Sequence, residues 1–319
     1  MTKMLMVARN VRADRVDELK RAYPNVQFVI PERREDVPTL IADVDAVFGS
    51  ITADELKAAK KLRWVQSSSA GVECIAKAPA IVASDIIVTN MRGAHAATIA
   101  EHAFAMLLSL TRALRQFQEF QDHEEWARGQ LNNRLVGIKG LTMGIVGFGN
   151  IGRQIGKRAA AFEMTVLAID ARPGASGDGV EEVWPLDRLN EMCRASDVLT
   201  IAAPITPETR GMIGPVQLGL LKPGSYVLAM SRGGIVDEPA LIKALRSGKL
   251  AGAGLDVTAT EPLPPGDPLW KAPNIIITPH NSPTSKLTTD LVWSMLADNL
   301  GRFERGEELA NTVDKRAGY

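Results

Sequence analysis

Residues 142–170 constrain the fold more than any other part of the 319-residue chain. They begin with an apolar run at 143–146, continue through Gly147-Phe148-Gly149-Asn150-Ile151-Gly152 into a helical pattern that ends near Phe162, and close with a second apolar run before Asp170. This order is typical of a strand, a glycine turn, a helix and a second strand that ends in an acid.

The three glycines of this turn have separate roles in such a unit. Gly147 makes the tight turn off the strand, Gly149 lets a pyrophosphate approach the backbone, and Gly152 lets the helix lie close to the sheet. The pyrophosphate then lies against the N–H groups at the positive end of the helix, next to Asn150 and Ile151. The turn is therefore a candidate dinucleotide-binding site.

Asp170 supports this site and bears on the choice of cofactor. It follows Gly147 by 23 residues, which is the position of the acid that contacts a ribose hydroxyl. The alternative is an ordinary turn followed by a surface aspartate. A 2′-phosphate about 5 Å from the carboxylate would cost roughly 3 kcal/mol per unit charge at an effective dielectric of about 20. The sequence therefore favours NAD, and Arg172 could partly offset the repulsion, so that NADP remains possible.

The bulk composition excludes some classes of partner. Lys+Arg and Asp+Glu both number 37, so no net charge recruits nucleic acid or an anionic membrane surface. The two cysteines, Cys74 and Cys193, have no metal or redox spacing, which is typical of a reduced cytoplasmic compartment. The length predicts about two domains.

The first third of the chain predicts an α/β unit with a parallel sheet, because short apolar runs alternate with amphipathic segments. Strands are expected at 5–8, 26–30, 44–48, 62–65 and 86–89, and helices at 14–22 and 52–59. The small residues Ser67-Ser68-Ser69-Ala70-Gly71 follow the fourth strand, and their backbone N–H groups could hold an anion. A tight loop without a ligand explains this segment equally well.

Two helices and one polar segment define the domain organisation. A long helix is expected from Ala94, with apolar positions as far as Leu114, and the last helix at 286–303 should pack on the N-terminal unit. The smaller domain is then residues 1–93 with 284–319, and the dinucleotide domain is 94–283.

Residues 116–134 lie outside the βα repeat, and their aromatic residues favour a homodimer contact over a mobile loop.

Four further strands are expected at 198–202, 226–230, 252–257 and 275–278. Ligands of parallel α/β sheets bind at the carboxyl ends of the strands, so the residues there should line the cofactor crevice. By this rule Thr209 and Met230 are assigned to the cofactor site. Arg232, Glu261 and His280 also follow strands, and we expect an arginine, a carboxylate and a histidine to converge at this edge.

With these motifs in place, the chain from Trp64 onward resembles the D-isomer-specific 2-hydroxyacid dehydrogenases, in particular glyoxylate/hydroxypyruvate reductases. The resemblance implies a Rossmann-type doubly wound cofactor domain plus a smaller, flavodoxin-like α/β substrate domain formed by both chain ends. The segments that carry it are Trp64-Val65-Gln66-Ser67-Ser68-Ser69-Ala70-Gly71-Val72, Ala100-Glu101-His102, the glycine turn, Ser231-Arg232-Gly233-Gly234-Ile235-Val236-Asp237-Glu238, Gly252-Ala253-Gly254-Leu255-Asp256-Val257, Glu261-Pro262-Leu263-Pro264 and Thr278-Pro279-His280.

The resemblance also implies an activity, the interconversion of a small 2-oxo acid and its D-2-hydroxy acid by hydride transfer. It makes His280 the acid/base, Glu261 its partner and Arg232 the group that grips the substrate. In the cofactor site, Ala203 and Pro204 would border the dinucleotide, and Asp256 would hold the nicotinamide carboxamide. The backbone of Ser69, Ala70 and Gly71 would bind the substrate carboxylate.

These side chains suit the reaction. Histidine can carry a proton near neutral pH, and a carboxylate beside the imidazole fixes its tautomer. An arginine fork can hold a carboxylate and polarise a carbonyl oxygen. The other three histidines, His95, His102 and His123, are expected at helix ends or on the surface, and no metal is assigned.

Two rival functions stay open. Phosphoglycerate, formate and phosphite dehydrogenases resemble the same family, and so do non-catalytic corepressors that sense nicotinamide cofactors. The sequence favours an enzyme because the Arg232, Glu261 and His280 set is complete and nothing basic or extended suggests a nucleic-acid or peptide platform.

Overall fold

The computed structural model describes residues 1–8, 11–71, 73–174 and 177–316. These form two compact units, one made of Met1–His95 with Ser285–Tyr319 and the other of Ala96–Thr284. The corresponding boundaries predicted from the sequence are residues 93 and 283.

The unit formed by the two chain ends contains a five-stranded parallel sheet of order β2-β1-β3-β4-β5. This is the flavodoxin-like strand order. Its strands are β1 (Thr2–Met6), β2 (Val26–Val29), β3 (Ala46–Phe48), β4 (Trp64–Gln66) and β5 (Ile87–Thr89). Its helices are α1 (Ala13–Ala22), α2 (Val37–Leu40), α3 (Ala53–Ala58), α4 (Glu73–Lys77) and α11 (Lys286–Arg305).

Alternating residues of these strands are buried on opposite faces of the sheet. Met4 and Met6 of β1 pack in one core with Trp293, Leu296 and Leu300 of α11. Leu5 lies in the other core, with Val37 and Ile41. Burial on both faces explains why the strands read as continuous apolar runs.

The second unit contains a seven-stranded parallel sheet of order β12-β11-β10-β9-β6-β7-β8. The strands are β6 (Thr142–Val146), β7 (Thr165–Ile169), β8 (Val183–Trp184), β9 (Val198–Ile201), β10 (Ser225–Ala229), β11 (Leu250–Leu255) and β12 (Ile275–Ile277). The helices are α5 (Ala96–Thr111), α6 (Leu114–Asp122), α7 (Asn150–Ala161), α8 (Leu189–Ala195), α9 (Pro215–Leu220) and α10 (Glu238–Arg246). The order reverses between β6 and β9, which is the Rossmann arrangement and its switch point. The predicted fold class is confirmed.

Some elements differ from the sequence-based expectation. The first strand begins at Thr2 rather than at residue 5, and α5 ends at Thr111 rather than at Leu114. Ala113 has a left-handed backbone, with φ of 50°, which separates α5 from α6 inside a segment that the pattern predicts as an excursion. Strand β8 and helices α2, α4, α9 and α10 were not predicted from the sequence. The sequence does contain a start signal for α10, an aspartate at its N-cap. Asp237 caps the helix by accepting from Ala240 N at 2.8 Å.

Candidate active site

The glycine turn after β6 depends on two close backbone contacts. Gly147 has φ of +88°, and a Cβ there would lie 2.5 Å from the Cα of Ala203, which follows the neighbouring strand β9. A Cβ at Gly152 would lie 2.1 Å from the carbonyl oxygen of Gly147. Both glycines are therefore required by the packing of the protein itself.

Gly149 is different because a Cβ there would meet no atom of the described protein within 4 Å. It is the N-cap of α7, it has no side chain to cap the helix, and the first bond of the helix runs from Arg153 N to Gly149 O at 2.9 Å. The N–H groups of Asn150, Ile151 and Gly152 precede that bond, so they are the donors a helix start presents to an anion. Open space above uncapped donors fits the pyrophosphate of a dinucleotide.

Asp170 ties the end of β7 to the glycine turn. Its Oδ2 accepts from Phe148 N at 2.7 Å and its Oδ1 accepts from Arg172 N at 2.9 Å. The Asp170 carboxylate is half-buried, whereas Arg172 is exposed. Each carboxylate oxygen still has a lone pair for a ribose hydroxyl, since a carboxylate can accept about four hydrogen bonds.

The other predicted cofactor contacts lie at the ends of β9 and β10. Ala203 is buried and Pro204 is exposed. The Thr209 hydroxyl donates to Pro204 O and accepts from Thr206 N, both at 2.7 Å, so it holds the shape of this loop. The Met230 side chain is buried in the core beside the sheet. Any contact between Met230 and a cofactor would therefore come from its backbone.

Arg232 follows β10, and its Nη1 donates to the carbonyl oxygen of Ser231 at 2.7 Å. The adjoining Gly233 allows a very close approach, because a Cβ there would lie 1.8 Å from the carbonyl oxygen of Thr258. Glu238 strengthens the same contact by accepting from Ala259 N at 2.6 Å, and burial raises the pKa of its carboxyl above the usual range. The Arg232 loop is thus fastened to the loop that carries Glu261.

Glu261 and His280 form a hydrogen-bonded pair. His280 Nδ1 lies 2.8 Å from Glu261 Oε2, and the other carboxylate oxygen accepts from Thr258 N at 3.1 Å. His280 has an unusual left-handed backbone, with φ of 53°, and its N–H donates to the carbonyl oxygen of Asp256 at 2.8 Å. The structure therefore brings two of the three predicted catalytic residues into direct contact.

Asp256 is almost fully buried, and its carboxylate accepts hydrogen bonds from three residues. Thr278 Oγ1 donates to Oδ1 at 2.6 Å, Asn281 N donates to Oδ1 at 2.9 Å, and Ser282 N donates to Oδ2 at 3.0 Å. Burial alone would raise the pKa of this carboxyl, but the hydrogen bonds from Ser282, Thr278 and Asn281 outweigh burial and lower it. Asp256 is therefore an ionised acceptor that organises the segment around His280.

Sequence reasoning missed part of this network. His102, expected at a helix end or on the surface, lies inside α5 with 27% of its side chain exposed, and its Nε2 is 3.0 Å from Thr278 Oγ1. The signal was available, because His102 and Thr278 both stand in the motifs that carry the family resemblance. His123 is exposed, as expected.

The predicted substrate-binding segment lies in the other unit. Ser69 O accepts from Met91 N, and Ala70 O accepts from Asn90 Nδ2, both at 2.9 Å. These bonds fix the carbonyl groups of the loop that contains Gly71 and set the direction of its peptide planes. Val72, which belongs to the same motif, lies outside the described residues.

The described residues show neither a metal-binding cluster nor a membrane-spanning helix. Within residues 1–8, 11–71, 73–174 and 177–316, no group of three His, Cys, Asp or Glu side chains has metal-binding geometry. No helix in those ranges combines the length and apolar character needed to cross a bilayer.

Comparison with known proteins adds to this geometry. Residues 104–282 match the family model described as D-isomer specific 2-hydroxyacid dehydrogenase, NAD binding domain. A glyoxylate reductase of Korarchaeum cryptofilum is 36% identical over 94% of this chain and 90% of its own length. A D-3-phosphoglycerate dehydrogenase of Archaeoglobus fulgidus is 30% identical over 97% of this chain, which spans only 59% of that relative.

A solved structure agrees with both units of the fold. The crystal structure of a D-isomer specific 2-hydroxyacid dehydrogenase family protein from Aeromonas salmonicida matches with a TM-score of 0.87 and 33% identity. The match covers 98% of this chain and 99% of the other. The resemblance drawn from the motifs is confirmed.

Proposed function

This chain belongs to the D-isomer-specific 2-hydroxyacid dehydrogenase family and is an NAD(P)-dependent oxidoreductase, and on that basis we propose that it reduces a small 2-oxo acid to the D-2-hydroxy acid with His280 as the acid/base. The observation that carries the proposal is the 2.8 Å contact between His280 Nδ1 and Glu261 Oε2. This pair lies after β11 and β12 in the unit that matches the NAD-binding family model.

The bound nicotinamide would supply the hydride, and His280 would supply the proton. Because Glu261 engages Nδ1, the opposite nitrogen, Nε2, is the one that donates to the developing alkoxide. The carboxylate of Glu261 fixes the tautomer and the orientation of the ring. In the reverse direction the same nitrogen would accept the proton from the hydroxy acid.

Arg232 would hold the substrate and polarise its carbonyl oxygen. Its position directly after β10 supports this role, since ligands of such sheets bind beyond the carboxyl ends of the strands. We also assign the substrate carboxylate to the backbone of Ser69, Ala70 and Gly71. Met91 N holds the carbonyl group of Ser69, and Asn90 Nδ2 holds that of Ala70.

For the cofactor, the glycine turn would hold the pyrophosphate, and Asp170 would accept hydrogen bonds from the adenosine ribose. The half-buried carboxylate favours NAD over NADP, because a 2′-phosphate would be repelled. The cofactor site would also include Ala203, Pro204, Thr209, Met230 and Asp256. Met230 would contribute through its backbone.

Glyoxylate or hydroxypyruvate is our proposed substrate, and the similarity to a glyoxylate reductase along nearly the whole chain supports it. A phosphoglycerate dehydrogenase is the second candidate, since one such relative is 30% identical over 97% of this chain. The sensor alternative predicts cofactor binding without turnover.

The test is to mix NADH or NADPH with glyoxylate, hydroxypyruvate, pyruvate and phosphohydroxypyruvate and to follow loss of the reduced cofactor. We expect NADH to be consumed fastest with one of the first two acids, and His280→Ala to lose turnover by roughly 100-fold or more while it still binds NADH. Preference for phosphohydroxypyruvate would support the second candidate. NADH binding without consumption would favour the sensor, and full turnover by His280→Ala would refute the assigned acid/base.

We also propose that the chain forms a homodimer through residues 116–134. Helix α6 carries no buried residue, and Phe117 on it is 37% exposed. Trp126, in the segment that follows the helix, is 92% exposed, although tryptophan is usually buried or at an interface.

A further inference from the structure

Helix α5 packs on strand β11 in a regular register. A Cβ at Gly252 would lie 3.0 Å from Leu110 Cδ2, and a Cβ at Gly254 would lie 3.0 Å from Met106 Cβ. Four residues of a helix advance about 6.0 Å and two residues of a strand about 6.6 Å, so the two elements stay in step. The next pair in this register is His102 and Asp256.

The structure connects this pair through Thr278. His102 Nε2 lies 3.0 Å from Thr278 Oγ1, and Thr278 Oγ1 lies 2.6 Å from Asp256 Oδ1. Ionised Asp256 can only accept, so the single hydroxyl proton of Thr278 points to it. Thr278 must then accept from His102, which fixes the imidazole as the tautomer that carries hydrogen on Nε2. The direction of both hydrogen bonds is therefore determined.

Asp256 passes this constraint to the segment that carries His280. Its main-chain oxygen accepts from His280 N at 2.8 Å, and its carboxylate accepts from Asn281 N at 2.9 Å and from Ser282 N at 3.0 Å. A left-handed backbone such as that of His280, with φ of 53°, persists only where its surroundings hold it. The orientation of Asp256 thus sets the orientation of the segment.

We propose that His102 is a positioning residue, which acts through Thr278 and Asp256 to hold the backbone of His280 in the conformation that proton transfer requires. This inference rests on the proposed acid/base role of His280. His102 itself neither touches the substrate nor moves a proton in the reaction.

The experiment compares two substitutions of His102 with a control on the same helix. His102→Leu removes the Nε2–H donor but keeps a side chain of similar size. In His102→Gln, the side-chain amide nitrogen can take the place of Nε2 as the donor. Glu101→Gln removes an exposed ion pair with Arg158, whose Nη2 lies 3.0 Å from Glu101 Oε1, and it leaves the network intact. For each variant we would measure kcat and KM for the preferred 2-oxo acid, together with the midpoint of thermal unfolding.

We expect kcat of His102→Leu to fall roughly tenfold with KM changed by less than about twofold, since a displaced acid/base slows chemistry more than binding. His102→Gln should keep most of kcat, and Glu101→Gln should match the parent. An unchanged kcat in His102→Leu would overturn the proposal. The proposal would also be overturned if kcat fell equally in the Leu and Gln variants and in proportion to a lowered unfolding midpoint. That pattern marks a purely structural role.

A second pair of variants covers the case in which His102→Leu does not fold. Thr278→Val removes the linking hydroxyl and should lower kcat by a similar factor, whereas Thr278→Ser should retain it. Equal kcat in these two variants would overturn the proposal. His280→Ala separates the two levels of inference. If it keeps full turnover, the acid/base assignment fails, and if it is inactive while His102→Leu is fully active, only the positioning role fails.

Discussion

His280 Nδ1 lies 2.8 Å from Glu261 Oε2, and each of the two side chains keeps 38% of its surface exposed. Solvent screens an ion pair with that much exposure, so it contributes little to stability. Its geometry matters more, since the carboxylate engages Nδ1 and leaves Nε2 for the proposed proton transfer.

Glu261→Gln should therefore reduce turnover without a matching loss of stability. The amide oxygen can still accept from Thr258 N, but an NH2 donor then faces His280 Nδ1 in place of a carboxylate acceptor. We expect kcat to fall roughly tenfold and the midpoint of thermal unfolding to move by less than about 2 °C. Steady-state kinetics and differential scanning fluorimetry measure the two quantities. Glu191→Gln, which breaks an exposed pair with Arg188, is the matched control and should leave kcat unchanged. Parent-like kcat in Glu261→Gln would argue against its role.

Alanine at the first glycine of the turn after β6 should lower the stability of the fold, whereas alanine at the second should weaken cofactor binding. Gly147→Ala places a Cβ 2.5 Å from the Ala203 backbone at a positive φ, which should cost more than about 3 kcal/mol of folding free energy. Gly149→Ala meets no protein atom within 4 Å, so its stability should change by less than about 1 kcal/mol. The Kd of the Gly149→Ala variant for NADH should nevertheless rise roughly tenfold, because the added methyl group would occupy the space of the pyrophosphate.

Titration of NADH fluorescence measures this Kd, and Gly219→Ala in α9, which also meets nothing within 4 Å, is the control. Unaltered NADH affinity in Gly149→Ala would contradict the placement of the pyrophosphate.

Asp170→Ala should shift the cofactor preference toward NADPH. The substitution removes a charge about 5 Å from the expected 2′-phosphate, and roughly 3 kcal/mol of repulsion corresponds to a change on the order of 100-fold in the ratio of kcat/KM for NADPH to that for NADH. Asp170 also accepts from Phe148 N and Arg172 N, so activity with NADH should fall at the same time. A preference that stays the same would show that Asp170 does not contact the ribose. Arg172→Ala in the same background should reduce any gain with NADPH.

Much of this arrangement was predictable from short-range patterns. Strand positions follow from apolar runs, and Arg232, Glu261 and His280 could be placed at one edge because parallel strands share their carboxyl ends. The turn with Gly147 and Gly152 was predictable because a helix that starts so close to a strand excludes a Cβ.

Other features depend on tertiary packing that no local pattern encodes. The bond from His102 to Thr278 joins positions 176 residues apart, and it depends on Gly252 and Gly254 letting α5 approach β11. Likewise, Gly233 gives no local hint that the carbonyl oxygen of Thr258 fills the place of its side chain. The break at Ala113 is not predictable either, since alanine favours a continuous helix.

Trp126→Lys should weaken the proposed homodimer. An indole that is 92% exposed in the single chain would be covered in a dimer, and a lysine there would have to lose its hydration. We expect the parent to elute as a dimer in size-exclusion chromatography with light scattering. The dimer dissociation constant of the variant should be at least about tenfold higher than that of the parent. Val216→Lys is the control, because Val216 is also exposed, at 62%, and lies on α9, which packs on α8 and α10. A monomeric parent, or a variant that dimerises as well as the parent, would contradict the assignment.

Asp256→Asn should destabilise the protein in a manner that depends on pH. Burial alone raises the pKa of this carboxyl, but hydrogen bonds from Ser282, Thr278 and Asn281 outweigh it, so the pKa in the folded state lies below the ordinary value of 3.8. A lowered pKa means that the folded state favours the ionised form. Its contribution to stability is therefore complete above the ordinary pKa and is lost as the pH falls through the lower, folded-state pKa.

Asparagine does not titrate, so the parent should unfold at a higher temperature than Asp256→Asn at neutral pH, by roughly 5 °C, and this difference should shrink as the pH drops below about 4. Thermal unfolding of the cofactor-free proteins at several pH values measures it. Asp187→Asn, at an exposed aspartate of the same unit, serves as the control and should follow the parent throughout. A difference that stays constant or widens in acid would mean that the hydrogen bonds to Asp256 do not require its charge, and that the segment around His280 is held by other contacts.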